Sequence, residues 1–127
     1  MRSNGETGAG ELLKVYGLKN CDTCRKALQW LAHEKIPHSF IDVRADGISM
    51  AEIARFAKSV GWEKLLNKAS TSWRALQDSE KEGLGEAGAV ALMHKYPTLI
   101  KRPVFDTTIG VLSGFRDAEK KALKALK

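Results

Sequence analysis

Lys14-Val-Tyr-Gly-Leu-Lys-Asn-Cys-Asp-Thr-Cys-Arg-Lys-Ala-Leu28 holds both cysteines of the chain, Cys21 and Cys24. The stretch reads as the end of a short strand, a polar loop and the first turns of a helix. Leu12 to Tyr16 is apolar and rich in strand formers, Gly17 stops it, and Leu18 to Asn20 form the loop. From Thr23 to about Glu34 the apolar positions recur at helical spacing, with Ala27, Leu28, Leu31 and Ala32 on one face and Trp30 at its border. A helix start gathers unpaired backbone N–H groups and the positive end of the helix dipole. A thiol placed there loses its proton more readily, and the same geometry holds an oxyanion. Asp22 or Thr23 is expected to cap this helix.

Working outward, Pro37 ends the helical region and His38 to Asp42 form a second strand around Phe40 and Ile41. Strand, helix and strand make a β-α-β unit with a parallel pair and a right-handed crossover. Asp46-Gly47 is a turn. Ser49-Met-Ala-Glu52 is a capping box, and its helix runs to about Val60 with Ile53, Phe56, Ala57 and Val60 on one face. Gly61 stops it. Trp62 to Leu66 is a short helical turn, Asn67 to Ser70 a loop, and Thr71 to Arg74 another short segment. Ser79-Glu-Lys-Glu82 is a second possible capping box. Ala87 to Tyr96 is helical, with Ala89, Leu92, Met93 and Tyr96 recurring, and Pro97 ends it. Val104-Phe105 is a third strand, Asp106 to Thr108 turn the chain, and Gly110 to Ser113 is a fourth strand, forming an antiparallel hairpin. Asp117 to Lys127 is a final helix with Ala118, Leu123 and Leu126 as anchors. The order β-α-β, helices, β-β-α predicts an α/β, thioredoxin-like fold. It is read as one domain over residues 12–127 with a helical insertion at about 49–96, behind a flexible Gly-rich tail at residues 1–11.

Composition narrows the class. A chain of 127 residues, 43% hydrophobic and 28% charged, is an ordinary globular protein that buries a core without disulfide staples. No apolar run suits a membrane span, and the first ten residues hold no apolar segment of a secretory signal. A cytoplasmic location without membrane partners is expected. Two cysteines in such a chain read as redox-active or metal-binding. Zinc needs about four ligands, and His33, His38 and His94 lie in no metal motif, so no metal is expected. The formal charge of +6 favours anionic partners. Aromatic–basic motifs of nucleic-acid modules are missing, so nucleic acid is not an expected partner.

The sequence resembles the ArsC-type arsenate reductase superfamily, and within it the YffB-like reductases. The likeness rests on Tyr16-Gly17, Lys19-Asn20-Cys21-Asp22-Thr23, Gly61-Trp62, Leu65-Leu66-Asn67, Trp73-Arg74 and Ile100-Lys101-Arg102-Pro103. It runs from about Lys14 to Phe115. The Spx-type transcription regulators share the fold and are similar around Cys21, Cys24, Arg25, Lys26 and Ala27. By this resemblance Cys21 is the nucleophile, Arg74 and Arg102 contact the anion, and Pro103 is the cis-proline facing the site. There are two departures. The family's third arginine falls near Phe115, so it is either missing or moved by one residue to Arg116. Cys24 stands where many arsenate reductases carry serine, which makes it a supporting thiol or a resolving one.

The residues and the resemblance together imply a thiol-dependent oxidoreductase. Arg25, Arg74 and Arg102 favour a thiolate at Cys21, because nearby cations stabilise the charged form. Their planar forks suit an oxyanion or carboxylate, and Lys19 adds a looser positive field. The expected partners are a small oxyanion or disulfide substrate and glutathione as co-substrate, with no bound cofactor and with glutaredoxin as a further candidate. The alternatives are an Spx-like redox-sensing regulator that binds RNA polymerase and a fold member that binds without turnover.

Overall fold

The computed structural model describes residues 13–126. The Gly-rich tail lies outside them. The chain forms two compact units: Val43–Lys101 is one, and the residues up to Asp42 together with those from Arg102 onward are the other.

The second of these carries the sheet. Its elements are β1 (Leu13–Gly17), α1 (Asp22–His33), β2 (Ser39–Asp42), β3 (Val104–Thr107), β4 (Gly110–Ser113) and a C-terminal helix, Asp117–Lys124. The strand order is β2-β1-β3-β4. β1 pairs parallel with β2, placing Gly17 opposite Asp42, and antiparallel with β3, placing Tyr16 opposite Val104. β3 and β4 form the expected antiparallel hairpin. This is the β-α-β then β-β-α plan read from the sequence. The expected turn begins two residues later than placed, because Asp106 and Thr107 extend β3. The core comprises Leu13, Val15, Ala27, Leu31, Ile36, Phe105 and Leu123. Burying such side chains contributes on the order of 1.5–3 kcal/mol each.

Two helix faces differ from expectation. On α1 the buried stripe is Cys24, Ala27 and Leu31, so Ala32 faces outward. Spacing of three and four residues draws Cys24 into the core one turn above Ala27. Trp30 does sit at the border, edge-on to Phe115 at 5.6 Å between ring centroids. On the last helix Leu123 is buried and Ala118 is exposed.

The other unit is helical: α2 (Met50–Val60), α3 (Trp62–Leu65), α4 (Thr71–Arg74), α5 (Asp78–Lys81) and α6 (Glu86–Lys95), making the C-terminal helix α7. α2 packs on α3 and α6 through Ile53, Phe56 and Ala57, which are fully buried. Ser49 caps α2, accepting the Glu52 N–H at 3.1 Å, while the Glu52 carboxylate pairs with Arg55. Gly61 ends α2 at φ +93°, a conformation side chains resist. The second capping box lies elsewhere than read: α5 starts at Asp78, and Glu80 accepts from the Gln77 N–H at 3.3 Å. Ser79 is thus inside the helix. A 3-10 turn, Pro97–Leu99, follows α6, and Ile100 then bridges to Leu66.

Candidate active site

Cys21 ends the loop between β1 and α1 and is itself the residue that caps α1. Its N–H donates to the Leu18 carbonyl at 3.2 Å, and its carbonyl accepts the Arg25 N–H at 2.9 Å. Neither Asp22 nor Thr23 caps the helix, contrary to expectation. Asp22 is the first helical residue, and its carboxylate takes the Arg25 guanidinium. Both choices are local: a carboxylate in the first turn complements the dipole, and three residues on is a natural reach for an arginine.

The two thiols behave oppositely. Burial pushes the Cys21 thiol up, but the N–H and thiol of Cys24 and the guanidinium of Arg102 outweigh it, so its pKa falls below the ordinary thiol value. The Cys24 N–H is turned toward the sulfur without closing a full capping bond. Cys24 is buried, and that burial raises its pKa to about 11; the Leu18 N–H opposes the rise and the neighbouring Cys21 adds to it. At neutral pH Cys24 therefore keeps its proton and can donate it toward the Cys21 sulfur. Both cysteines are free thiols. Cys24 fits only because residue 17 is glycine: a Cβ there would stand 2.5 Å from the Cys24 sulfur.

Arg102 reaches this pair from the end of the segment before β3. It acts on Cys21 both as a hydrogen-bond donor and as a charge. The Arg102–Pro103 peptide is cis, as the resemblance implied, and Pro103 is buried, its carbonyl accepting the Gly114 N–H at 2.9 Å. The fold thus brings Cys21, Cys24 and Arg102 together, with Pro103 next to Arg102 in the chain. Lys19 belongs to the same loop, with its N–H bound to Asp42 Oδ2 at 3.1 Å. Arg25 is engaged by Asp22 and is absent from the groups acting on the Cys21 sulfur. Arg74 closes α4 in the helical unit and is exposed.

The third arginine is not at Phe115. That ring packs against Trp30 and Phe105, with the Lys120 ammonium 4.9 Å from its centroid. Arg116 is exposed and caps α7, its N–H donating to Glu119 at 2.8 Å.

Two residues of this region escape a reading of the sequence. Gly17 looks like a strand stop, and Asp42 like the polar end of a strand. Only the β1/β2 register makes them neighbours. Among the described residues no group of three His, Cys, Asp or Glu side chains is placed to hold a metal ion, and no helix is long and apolar enough to cross a membrane. Two clefts, one of about 390 Å³ beside Leu31 and His38 and one of about 480 Å³ beside Leu76 and Tyr96, have no cysteine in their walls. The site is recognised by its chemistry and not by its volume.

Known proteins resemble this chain over most of its length. The family model for ArsC matches residues 16–123. An uncharacterised protein of Haemophilus influenzae is 40% identical over 111 residues, covering 87% of this chain and 97% of that protein. A solved structure of a YffB protein superposes with a TM-score of 0.84 at 40% identity, covering 87% of this chain and 98% of that one. An arsenate reductase (ArsC) related protein from Brucella melitensis gives a TM-score of 0.70 at 37% identity, over 87% and 92% of the two chains. The global transcriptional regulator Spx 2 of Lactococcus lactis is 23% identical over 113 residues, 87% of this chain and 85% of its own. With the model spanning the strand before Cys21 through to α7, the chain belongs to the ArsC family.

Proposed function

We propose that the protein is a thiol-dependent reductase in which the Cys21 thiolate is the nucleophile and Arg102 holds the anionic end of the substrate. The observation that supports this most directly is the convergence of the Cys24 N–H, the Cys24 thiol and the Arg102 guanidinium on one partly accessible sulfur. A lowered thiol pKa supplies thiolate at neutral pH, and attack by that thiolate forms a covalent adduct.

Two substrate classes fit. With a disulfide, the Cys21 sulfur forms a mixed disulfide as the substrate S–S bond breaks, and one thiolate leaves. A thiolate of glutathione then attacks that mixed disulfide and frees Cys21. With an oxyanion such as arsenate, the Cys21 sulfur displaces one oxygen as water. A glutathione thiolate then attacks the Cys21 sulfur, the sulfur–arsenic bond breaks with its electron pair passing to arsenic, arsenite leaves, and the resulting Cys21–glutathione mixed disulfide is reduced by a second glutathione or by glutaredoxin. We favour glutathione over Cys24 as the resolving thiol, because the buried Cys24 keeps its proton and is a weak nucleophile. Arg74 is assigned to the anion by family pattern, and Lys19 contributes general positive charge. With one guanidinium acting on the sulfur and a packed phenyl ring at Phe115, disulfides are the better substrates of the two. The reducing cytoplasm suits a protein that works through free thiols.

The test is alkylation of Cys21 against pH, with the label located by mass spectrometry, with and without arsenate or glutathione disulfide. A midpoint below the free-thiol value of about 8.5 and protection by either ligand are expected. Arg102→Gln should move the midpoint up and remove the protection. A free-thiol midpoint without protection sinks the proposal. The Spx relatives favour a second reading, binding to RNA polymerase. Retention of polymerase on immobilised protein, with no thiol turnover, would select it.

A further inference from the structure

We infer that Asp42 is a positioning residue for the reactive thiol: from the end of β2 its buried carboxylate holds the Lys19 backbone N–H and so fixes the loop that presents Cys21. The inference rests on the reading of Cys21 as the nucleophile and extends it to the part of the fold that places the sulfur.

Four observations carry it. Asp42 is only 6% exposed, and aspartate is almost never buried without a partner that compensates its lost hydration. The Lys19 N–H donates to Asp42 Oδ2 at 3.1 Å across 23 residues of sequence. A bond from a backbone N–H to a carboxylate is of the stronger, charge-assisted kind. Asp42 stands opposite Gly17 in the parallel register, so its side chain is fixed relative to the last residue before the loop. The loop is short, Leu18 to Asn20 between the end of β1 and the cap of α1. Within it the Leu18 carbonyl takes the Cys21 N–H at 3.2 Å, and the Leu18 N–H acts on the Cys24 sulfur. Holding Lys19 therefore constrains its neighbour Leu18, whose carbonyl and N–H orient Cys21 and Cys24.

The role is geometric. The charge acting on the Cys21 sulfur is that of Arg102. An asparagine at position 42 keeps an oxygen acceptor of the same shape and drops the charge, whereas alanine drops both. The two variants separate placement from electrostatics.

The experiment compares wild type, Asp42→Ala and Asp42→Asn by Cys21 alkylation with iodoacetamide between pH 5 and 9, with circular dichroism to verify folding. Asp42→Ala is expected to move the midpoint up by about one unit, which slows the reaction by up to about tenfold at neutral pH. Asp42→Asn should follow the wild-type curve. A wild-type curve for Asp42→Ala, or an Asp42→Asn curve as displaced as that of alanine, overturns the inference. If Asp42→Ala does not fold, amide exchange at Lys19 decides. A protected Lys19 N–H in both wild type and Asp42→Asn, with Cys21 reactivity retained, supports the role; free exchange in wild type overturns it. A wild-type Cys21 that titrates as a free thiol overturns both this inference and the proposed function. A lowered wild-type midpoint that is unchanged in Asp42→Ala overturns this inference alone.

Discussion

The sheet unit and the helical unit hold themselves together by different means. In the sheet unit the strand register decides which residues meet: Gly17 faces Asp42, Tyr16 faces Val104 and Val104 faces Ser113. Residues from distant parts of the chain are thereby fixed at one end of the sheet, where the thiols stand. In the helical unit three of the five helices have only four residues. Isolated helices of that length do not persist in water. They depend on caps such as Ser70, which accepts the Trp73 N–H at the start of α4, and on burial such as that of Leu65 in α3. Every group that acts on the Cys21 sulfur lies in the sheet unit. Chemistry is thus placed where geometry is over-determined.

The sharpest way to break this division is Phe56→Ala. Phe56 is fully buried, so its loss should cost about 3–5 kcal/mol in urea unfolding. The Cys21 alkylation curve in native buffer should stay in place. A shifted curve would mean that the helical unit governs the thiol.

Gly17→Ala probes the other side. The new Cβ would meet the Cys24 sulfur at 2.5 Å and Phe40 at 3.3 Å. Strain of this kind costs about 1–3 kcal/mol. Displacing Cys24 should also raise the Cys21 midpoint, because the Cys24 N–H and thiol both lower it. Unfolding and alkylation measured together should both respond, unlike in Phe56→Ala. Unchanged alkylation would remove Cys24 as a supporting thiol.

Ser49→Ala removes the cap that accepts the Glu52 N–H. A loss of about 1 kcal/mol in thermal or urea unfolding is expected, with thiol reactivity untouched.

The last test is a slope with pH. Cys24 titrates at about 11 in the folded chain and near 8.5 once unfolded. Its contribution is full below the unfolded value and is lost as pH rises toward 11, because the native state binds the extra proton there. Cys21, with its value lowered, contributes in the opposite sense: fully above the ordinary thiol range, and less as pH falls through its folded value. Melting temperatures from pH 8 to 11 should therefore fall less steeply in Cys24→Ser than in wild type. Equal slopes would show that Cys24 is not held as the protonated partner.

Much of this site could be read from the chain alone. Cys21 and Cys24 fall at a strand-to-helix junction by local pattern, and Ser49, Gly61 and Pro97 mark their helix ends. Such signals are legible because they act within four or five residues. The capping of α1 was not legible: Asp22 could have capped, but Arg25, three residues on, competes for its carboxylate. Nor was the fate of Arg25, which by sequence is simply another cation beside the thiols. Phe115 shows the same limit, since its ring is settled by Trp30 and Phe105 from other elements.

By itself the sequence determined the order of elements and the place of Cys21 at a helix start, because periodicity, caps and turn residues act over one or two turns of chain. Only the tertiary structure decided which cysteine holds its proton, which arginine acts on the thiolate and why residue 17 is glycine. Those outcomes depend on burial and on contacts made across the sheet, where Asp42, Arg102 and Cys24 come from separate strands, segments and helices. Desolvation and charge act through space, and the chain carries no local mark of them.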